Sequence, residues 1–367
     1  MACLSAAAPA TRARLATAAA SLRTSAPVDV HAQTLAVRQA ALDLGFDRAG
    51  FARVEDIDPE QRLRRWLDRG FAAEMDYMHR TADARIDPRR LLPGAKSVVA
   101  LMISYDDRRH ANVTPSANAP SDPKAAPSAE PALPKSPPFK ISRYVTARDY
   151  HRVIQKLLRK LRRRVLEIAP NAKVHPSVDT SAVMERAWAM RAGIAWIGKS
   201  TMAINPRLGT YTFLASLITD LEFVYDEPHP DRCGQCTRCL SACPTDAFAE
   251  PYVLDSRRCI GYWTVEKHAG FDETTPKLHT WVAGCDICQE VCPWNKFSSP
   301  PRHEGLRQAT RLASLPADDW LEPSREAALT AVIQGTALQR TGAERLRNNA
   351  MRINEEEMED EEEEGSR

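Results

Sequence analysis

The run CGQCTRCLSACPTDAF, Cys233 to Phe248, decides how this sequence is read. Its four cysteines are spaced two, two and three residues apart, and Pro244 follows the last. Short C-x2-C-x2-C turns let three thiolates converge on one inorganic cluster. The x3-Cys-Pro extension is that of bacterial two-cluster ferredoxins, in which the fourth cysteine serves the other cluster. CDICQEVCPWN, Cys285 to Asn295, repeats the pattern in stretched form, with Cys259 upstream. Crossing the fourth ligands puts Cys233, Cys236, Cys239 and Cys292 on one [4Fe–4S] cluster. Cys243, Cys259, Cys285 and Cys288 then hold a second. A pair of zinc sites is the alternative, but zinc ribbons show two separated CxxC knuckles instead.

Cys3 is an incidental thiol, and eight of the nine cysteines fall between 233 and 292. A disulfide scaffold would spread them through a short secreted chain. The chain has 367 residues, 43% hydrophobic and 27% charged, enough for two or three domains. No stretch of eighteen apolar residues occurs, so no transmembrane span is expected.

The net charge of +2 conceals an asymmetry. Residues 355–364 carry nine acids, and 355–367 sum to −8, which leaves +10 on residues 1–354. A basic body admits a polyanionic partner such as nucleic acid, or is simply a solvated surface. The N-terminus is rich in Ala, Arg and Ser, with no acid before Asp29. It reads as a transit peptide, a disordered extension or a wrongly assigned start. Without a long apolar signal core, the cytoplasm is the expected location.

Residues 31–50, with Leu35, Val37, Ala40, Leu42 and Leu44 before Gly45, predict a helix and its stop. Further helices are expected over 59–69, 149–168 and 182–192. Buried strands are expected within 91–105 and 210–219. In the 149–168 helix, Val153, Leu157, Leu158, Leu161 and Val165 form the apolar stripe, and Arg and Lys the other face. Residues 111–138 are a Pro/Ala/Ser segment expected to be disordered.

Two clusters alone move electrons, and the large upstream portion should hold the chemistry. VDTSAVMERAWAMRAGIAWIGKSTMAINPRLGTYTFLASLITDLEF (178–223), PYVLDSRRCIGYWTVE and AGCDICQEVCPWNKF resemble epoxyqueuosine reductase. AEMDYMHR, DPRRLLPGAKSVVALMISY and ISRYVTARDYH are similar to the same family. It is a family of cobalamin-dependent iron–sulfur enzymes of tRNA modification, and the resemblance covers about residues 35–110 and 138–350. GIAWIGKS departs from the family's commoner GLGWIGKN at Ala195 and Ser200. Many members continue into a HEAT-like helical domain, which this sequence does not reach.

The resemblance implies reduction of the epoxide of epoxyqueuosine, at the tRNA wobble position, to queuosine. Electrons would pass from an external donor (a reductase, flavodoxin or ferredoxin) through two [4Fe–4S] clusters to cobalamin. Asp179 falls at the family's proton donor, a role expected to need a pKa raised by burial. From the residues alone it reads first as an N-cap of the helix that follows. Arg85, Ser142, Lys199, Ala203, Leu214 and Asp286, with Asp179, fall at cobalamin contacts, with no protein imidazole expected below cobalt. Lys267, Arg340, Arg345 and Arg347 are the candidates for tRNA, or else solvated cations.

The expected architecture is an α/β cobalamin-binding domain, then a ferredoxin-like two-[4Fe–4S] domain and a short helical C-terminal segment. The boundaries are 1–30 disordered extension, 31–225 catalytic domain with the 111–138 insertion, 226–300 cluster domain, 301–354 helical segment and 355–367 acidic disordered tail. A monomer is expected, with no membrane association. A reductive-dehalogenase-like cobalamin enzyme acting on a small molecule is the nearest alternative. A non-enzymatic electron-transfer protein is the other, but it leaves the upstream domain and Asp179 without a purpose.

Overall fold

The structure, a computed structural model, describes residues 29–107, 139–307, 312 and 315–365, Asp56 and Pro59 excepted. The 111–138 insertion and all but the last two residues of the 1–30 extension lie outside the described residues. Helix α1 (Val30–Asp43) starts where the Asp29 side chain accepts from the His31 and Ala32 amides. It stops before Gly45, whose φ of +103° a side chain would oppose.

Four strands follow in chain order: β1 (Arg48–Arg53), β2 (Ser97–Ser104), β3 (Val174–Ser177) and β4 (Thr212–Thr219). They form one sheet in the order β1-β2-β4-β3, and every pair is antiparallel. The sequence left the direction of these strands open. The reason lies in β2, whose eight residues are all buried. Val99, Leu101 and Ile103 pack with α1 and α3 (Tyr150–Ile168) on one face. Val98, Ala100 and Met102 pack on the other face with α4 (Glu185–Arg191), where Ala187, Trp188 and Ala189 are buried. A strand covered on both faces reads as an unbroken apolar run, the mark of parallel sheets, whichever way its neighbours run.

Helix α3 is capped by Asp149, which accepts from the His151 amide. Its core stripe is Ile154, Leu157, Leu158, Leu161 and Val165. Helix α2 (Arg62–Asp68) is shorter than expected and ends before Gly70, at φ +69°.

The cysteine region is built from short turns, with a hairpin between Phe248–Glu250 and Val253–Leu254. Its Trp281–Ala283 strand pairs in parallel with Lys140–Ile141, which ties it to the chain leading into α3. A separate core joins Phe139, Ile141 and Val145 to Trp263, Trp281 and the C-terminal segment, where Trp320, Leu346, Ala350 and Ile353 are buried. No helix among the described residues is long and apolar enough to cross a membrane.

Helix α5 (Ala343–Gly365) carries the chain through the acidic segment, so the expected disorder of 355–367 is corrected as far as Gly365. Glu356 is almost fully buried, and its carboxylate accepts from the amides of Leu278, at 2.9 and 3.1 Å, and His279, at 3.1 Å. A charge-run argument misses this because one acid of the run serves as a cap for another segment. Replacing Glu356 by Ala leaves those donors without their acceptor and should destabilise the protein by about 1–3 kcal/mol in chemical denaturation. An unchanged midpoint would show that the bonds contribute nothing net.

Candidate active site

A cavity of about 1310 Å³ opens beside the sheet end where β3 finishes and β4 starts. Its wall takes Tyr150 from α3, Phe213 and Leu214 from β4, Glu185 and Arg186 from α4, and Cys259 and Tyr262 from the cysteine region. Of the residues singled out from sequence, Arg85, Asp179, Ala203, Leu214, Cys259 and Arg340 meet here.

Asp179 lies just past β3 and has a φ of +49°, in the left-handed region that Asp tolerates better than most residues. It is not a helix cap: α4 starts six residues later, after Met184. The Asp179 amide donates to Glu185 Oε1 at 2.9 Å, which holds the turn. Its carboxylate Oδ2 lies 2.8 Å from His151 Nε2, and His151 Nδ1 lies 2.8 Å from Asp149 Oδ1. Both ring nitrogens face carboxylate oxygens, so the imidazolium, which donates from both, suits the site better than either neutral tautomer. The Tyr150 ring stacks on His151 at 4.0 Å and on Phe213 at 4.1 Å, which fixes the imidazole plane.

The electrostatics follow from these contacts. Burial lowers the His151 pKa, but the bonds to Asp179 and Asp149 outweigh it and raise it above the ordinary value. At Asp179, burial pushes upward, while the His151 bond and charge, a Tyr150 bond and the Arg340 charge bring it below the ordinary carboxylate value. The expected upward shift at Asp179 is therefore reversed. Its side chain remains half exposed, open to the cavity rather than sealed in the core. The raised acid is Glu185, pushed up to about 8 by burial first and by the neighbouring Asp179 charge. His151 and Glu185 were missed from sequence. The available signals were the tight Asp149-Tyr150-His151 run at a helix start and the lone acid opening ERAWA.

The eight cysteines carry free thiols that sort into two groups. Burial first, then the nearby thiols of Cys233, Cys239 and Cys236, raise Cys292 to about 11. Cys285 and Cys288 are raised by burial and by a different set, which includes Cys259 and Cys243. Thiols that raise one another's pKa are close in space, and iron binding replaces their protons.

The remaining sequence candidates lie off the cavity wall. Ser142 and Asp286 are buried and bonded to each other at 2.5 Å, and Asp286 also accepts from the Arg143 amide at 2.8 Å. Lys199 Nζ reaches the Gly234 carbonyl at 2.7 Å, beside Cys233. Lys267 is 8% exposed between Glu74, at 2.9 Å, and Asp272, at 3.1 Å. Arg347 is 7% exposed and pairs with Glu326 at 2.9 Å, while Arg345 donates to the Trp263 carbonyl at 2.8 Å. Lys267 and Arg347 therefore serve the fold in this structure and are not free cations. Arg340 differs: it is 58% exposed on the cavity rim and pairs with Glu266 at 2.7 Å.

A cavity bordered by a cysteine-rich region and by an imidazole between two carboxylates suits an oxidoreductase. Residues 85–180 match the family described as "Epoxyqueuosine reductase QueG, DUF1730". Residues 232–295 match the "4Fe-4S double cluster binding domain". The epoxyqueuosine reductase of Cyclobacterium marinum is 38% identical over 323 residues, 87% of this chain and 96% of that protein. That of Escherichia coli (strain K12) is 32% identical over 331 residues, 90% of this chain and 83% of its own. The solved epoxyqueuosine reductase of Streptococcus thermophilus matches with a TM-score of 0.72 at 28% identity, over 87% of this chain and 80% of that one. A crystal structure of epoxyqueuosine reductase with a tRNA-Tyr epoxyqueuosine-modified stem loop matches at TM-score 0.72 and 29% identity, over 86% of this chain and 79% of that one. The chain belongs to the epoxyqueuosine reductase family. It is an oxidoreductase with a double [4Fe–4S] cluster domain.

Glu185 has a consequence for stability. Its folded pKa, about 8, lies above its ordinary 4.5, so the protonated form favours the fold. That contribution is complete below 4.5 and is lost as pH rises through about 8. Thermal melts from pH 5 to 8.5 should therefore decline more steeply for the native protein than for Glu185→Gln, which keeps an acceptor for the Asp179 amide. Parallel declines would mean that Glu185 titrates normally.

Proposed function

We propose that this chain reduces the epoxide of epoxyqueuosine, at the wobble position of a tRNA, to the alkene of queuosine. The reaction takes up two electrons and two protons and releases the epoxide oxygen as water. The observation that carries this reading is the Asp149–His151–Asp179 chain, which ends in a cavity bordered by Cys259. The substrate is supported by membership of the family and by the likeness to a relative solved with an epoxyqueuosine-modified stem loop.

Cys233, Cys236, Cys239 and Cys292 would hold one cluster, and Cys243, Cys259, Cys285 and Cys288 the other, which together supply one-electron transfer. The second set borders the cavity through Cys259. The first lies beside exposed Gly234 and Gln235, the side from which an external donor protein would deliver electrons. The cavity exceeds the roughly 300–1,000 Å³ of ordinary small-molecule sites, and its size and apolar lining from Met75, Met78, Met184 and Leu214 fit cobalamin. Arg85, Ala203 and Leu214 would hold that cofactor, which when bound supplies low-potential reduction at the epoxide carbon.

The proton route belongs to this chain's own residues. His151 stores a proton between two carboxylates, and Asp179 is the member of the chain that reaches the cavity. As the epoxide C–O bond breaks, Asp179 passes a proton to the departing oxygen and His151 replenishes it. The pair as a whole is the acid, since Asp179 alone is held ionised. Tyr150 orients His151, and Glu185 keeps the Asp179 backbone in its left-handed turn.

The test is mass spectrometry of tRNA nucleosides after anaerobic reaction with the cluster- and cobalamin-loaded protein, a chemical reductant and epoxyqueuosine-containing tRNA. Queuosine should form, and Asp179→Asn, which tolerates the same backbone angle, should slow it by about 10²–10⁴-fold with iron content unchanged. Conversion at the native rate by that variant would remove Asp179 from the reaction.

A further inference from the structure

The outward face of α3 is a charged surface that the proposed reaction does not use. It carries Arg152, Lys156, Arg159, Lys160, Arg162, Arg163 and Arg164, all exposed, against Glu167 alone. Arg152 pairs with Asp149 at 3.5 Å, Arg164 with Glu167 at 3.1 Å, and Arg162 donates to the Val174 carbonyl at 3.3 Å. Lys156, Arg159, Lys160 and Arg163 form no ion pair among the described residues. The field is felt nearby: burial first, then Lys160 and Lys156, holds the His303 pKa below its ordinary value.

The spacing is unfavourable for a helix by itself. Arg152 and Lys156, Lys156 and Lys160, Arg159 and Arg163, and Lys160 and Arg164 are like charges four residues apart, which repel across one helical turn. Acids at alternate positions would have stabilised the helix at the same solubility. A polyanion laid along the face converts that repulsion into attraction and releases its own counterions.

The helix also serves the active site from its first turn. The N-terminus of α3 supplies Asp149 and His151, which hold Asp179 at the cavity. At about 1.5 Å per residue, Lys156 to Arg163 lie about 8 to 18 Å along the axis from His151. We propose that Lys156, Arg159, Lys160 and Arg163 form a track for the phosphate backbone of the RNA stem whose modified nucleoside enters the cavity. The contacts are to phosphates, so the track sets position and affinity and leaves base identity to the cavity. The substrate class rests on the reaction proposed above, whereas the charge pattern does not.

The experiment uses the full, cluster-loaded chain and the variant K156Q/R159Q/K160Q/R163Q, altered only at exposed positions, with cluster absorbance as the check on folding. Fluorescence anisotropy with an unmodified anticodon stem-loop RNA reads binding without turnover, so it is independent of whether the epoxide is the substrate. The variant should bind about 10–100-fold more weakly at moderate salt. Its slope of log affinity against log salt should be shallower by about 3.6, from four contacts at about 0.9 each. With modified tRNA and a chemical reductant, the loss should fall on KM rather than kcat. Unchanged RNA affinity and salt slope would overturn the proposal even if the native protein makes queuosine. So would a loss seen only when electrons come from a donor protein, which would make the face a donor-docking surface.

Discussion

The 2.8 Å contact between His151 and Asp179 joins two parts of the chain that the fold brings together from opposite directions. His151 arrives on the first turn of α3, which is anchored through Ile154, Leu157 and Leu158 in one face of the sheet. Asp179 arrives at the end of β3, which pairs along the sheet edge with β4. The contact also sets the charge of the site. Under the proposed function, an imidazolium between two carboxylates keeps Asp179 ionised and supplies the proton where Asp179 meets the cavity. Without this pairing, a half-exposed carboxylate has no reason to act as an acid near neutral pH.

The second constraint is the attachment of the cysteine region to this frame. Asp286 follows Cys285 directly, and its buried carboxylate is held by Ser142, the Arg143 amide and Gln289. Gly284 fits against the Ser142 side chain, where a Cβ would come within 2.6 Å of Ser142 Cβ. These contacts fix the segment that carries Cys285 and Cys288 against the segment that leads into α3. The proton-holding chain and the inner group of thiols are thereby set on one rigid support. The proposed delivery of electrons and protons to a single bond would need such a support.

What the sequence disclosed and what it hid separate along physical lines. The thiolate groups were legible because cluster ligation is enforced by local spacing, and the same grouping appears in how the thiols perturb one another. The α3 stripe and the apolar run of β2 were legible from periodicity and burial. The antiparallel order of the sheet was not, since a strand covered on both faces has no alternation to betray its direction. Asp179 was found by resemblance, but its pKa was expected to move the wrong way because the partner that governs it stands 28 residues earlier. Lys267 and Arg347 looked like free cations for the same reason: Glu74 and Glu326, which neutralise them, are distant in the chain or set on another helix. The acidic end was expected to be disordered from its charge alone, although Ile353 and Glu356 anchor it.

The central claim is that a proton resides on His151 between Asp149 and Asp179. The direct measurement is a pH titration by NMR of the protein labelled at histidine nitrogens, with His151 assigned by its loss in His151→Gln. The account predicts that both His151 nitrogens remain protonated above the ordinary histidine pKa of about 6.5, and that Asp179→Asn lowers that pKa. Titration at or below the ordinary value, unchanged in Asp179→Asn, would contradict it.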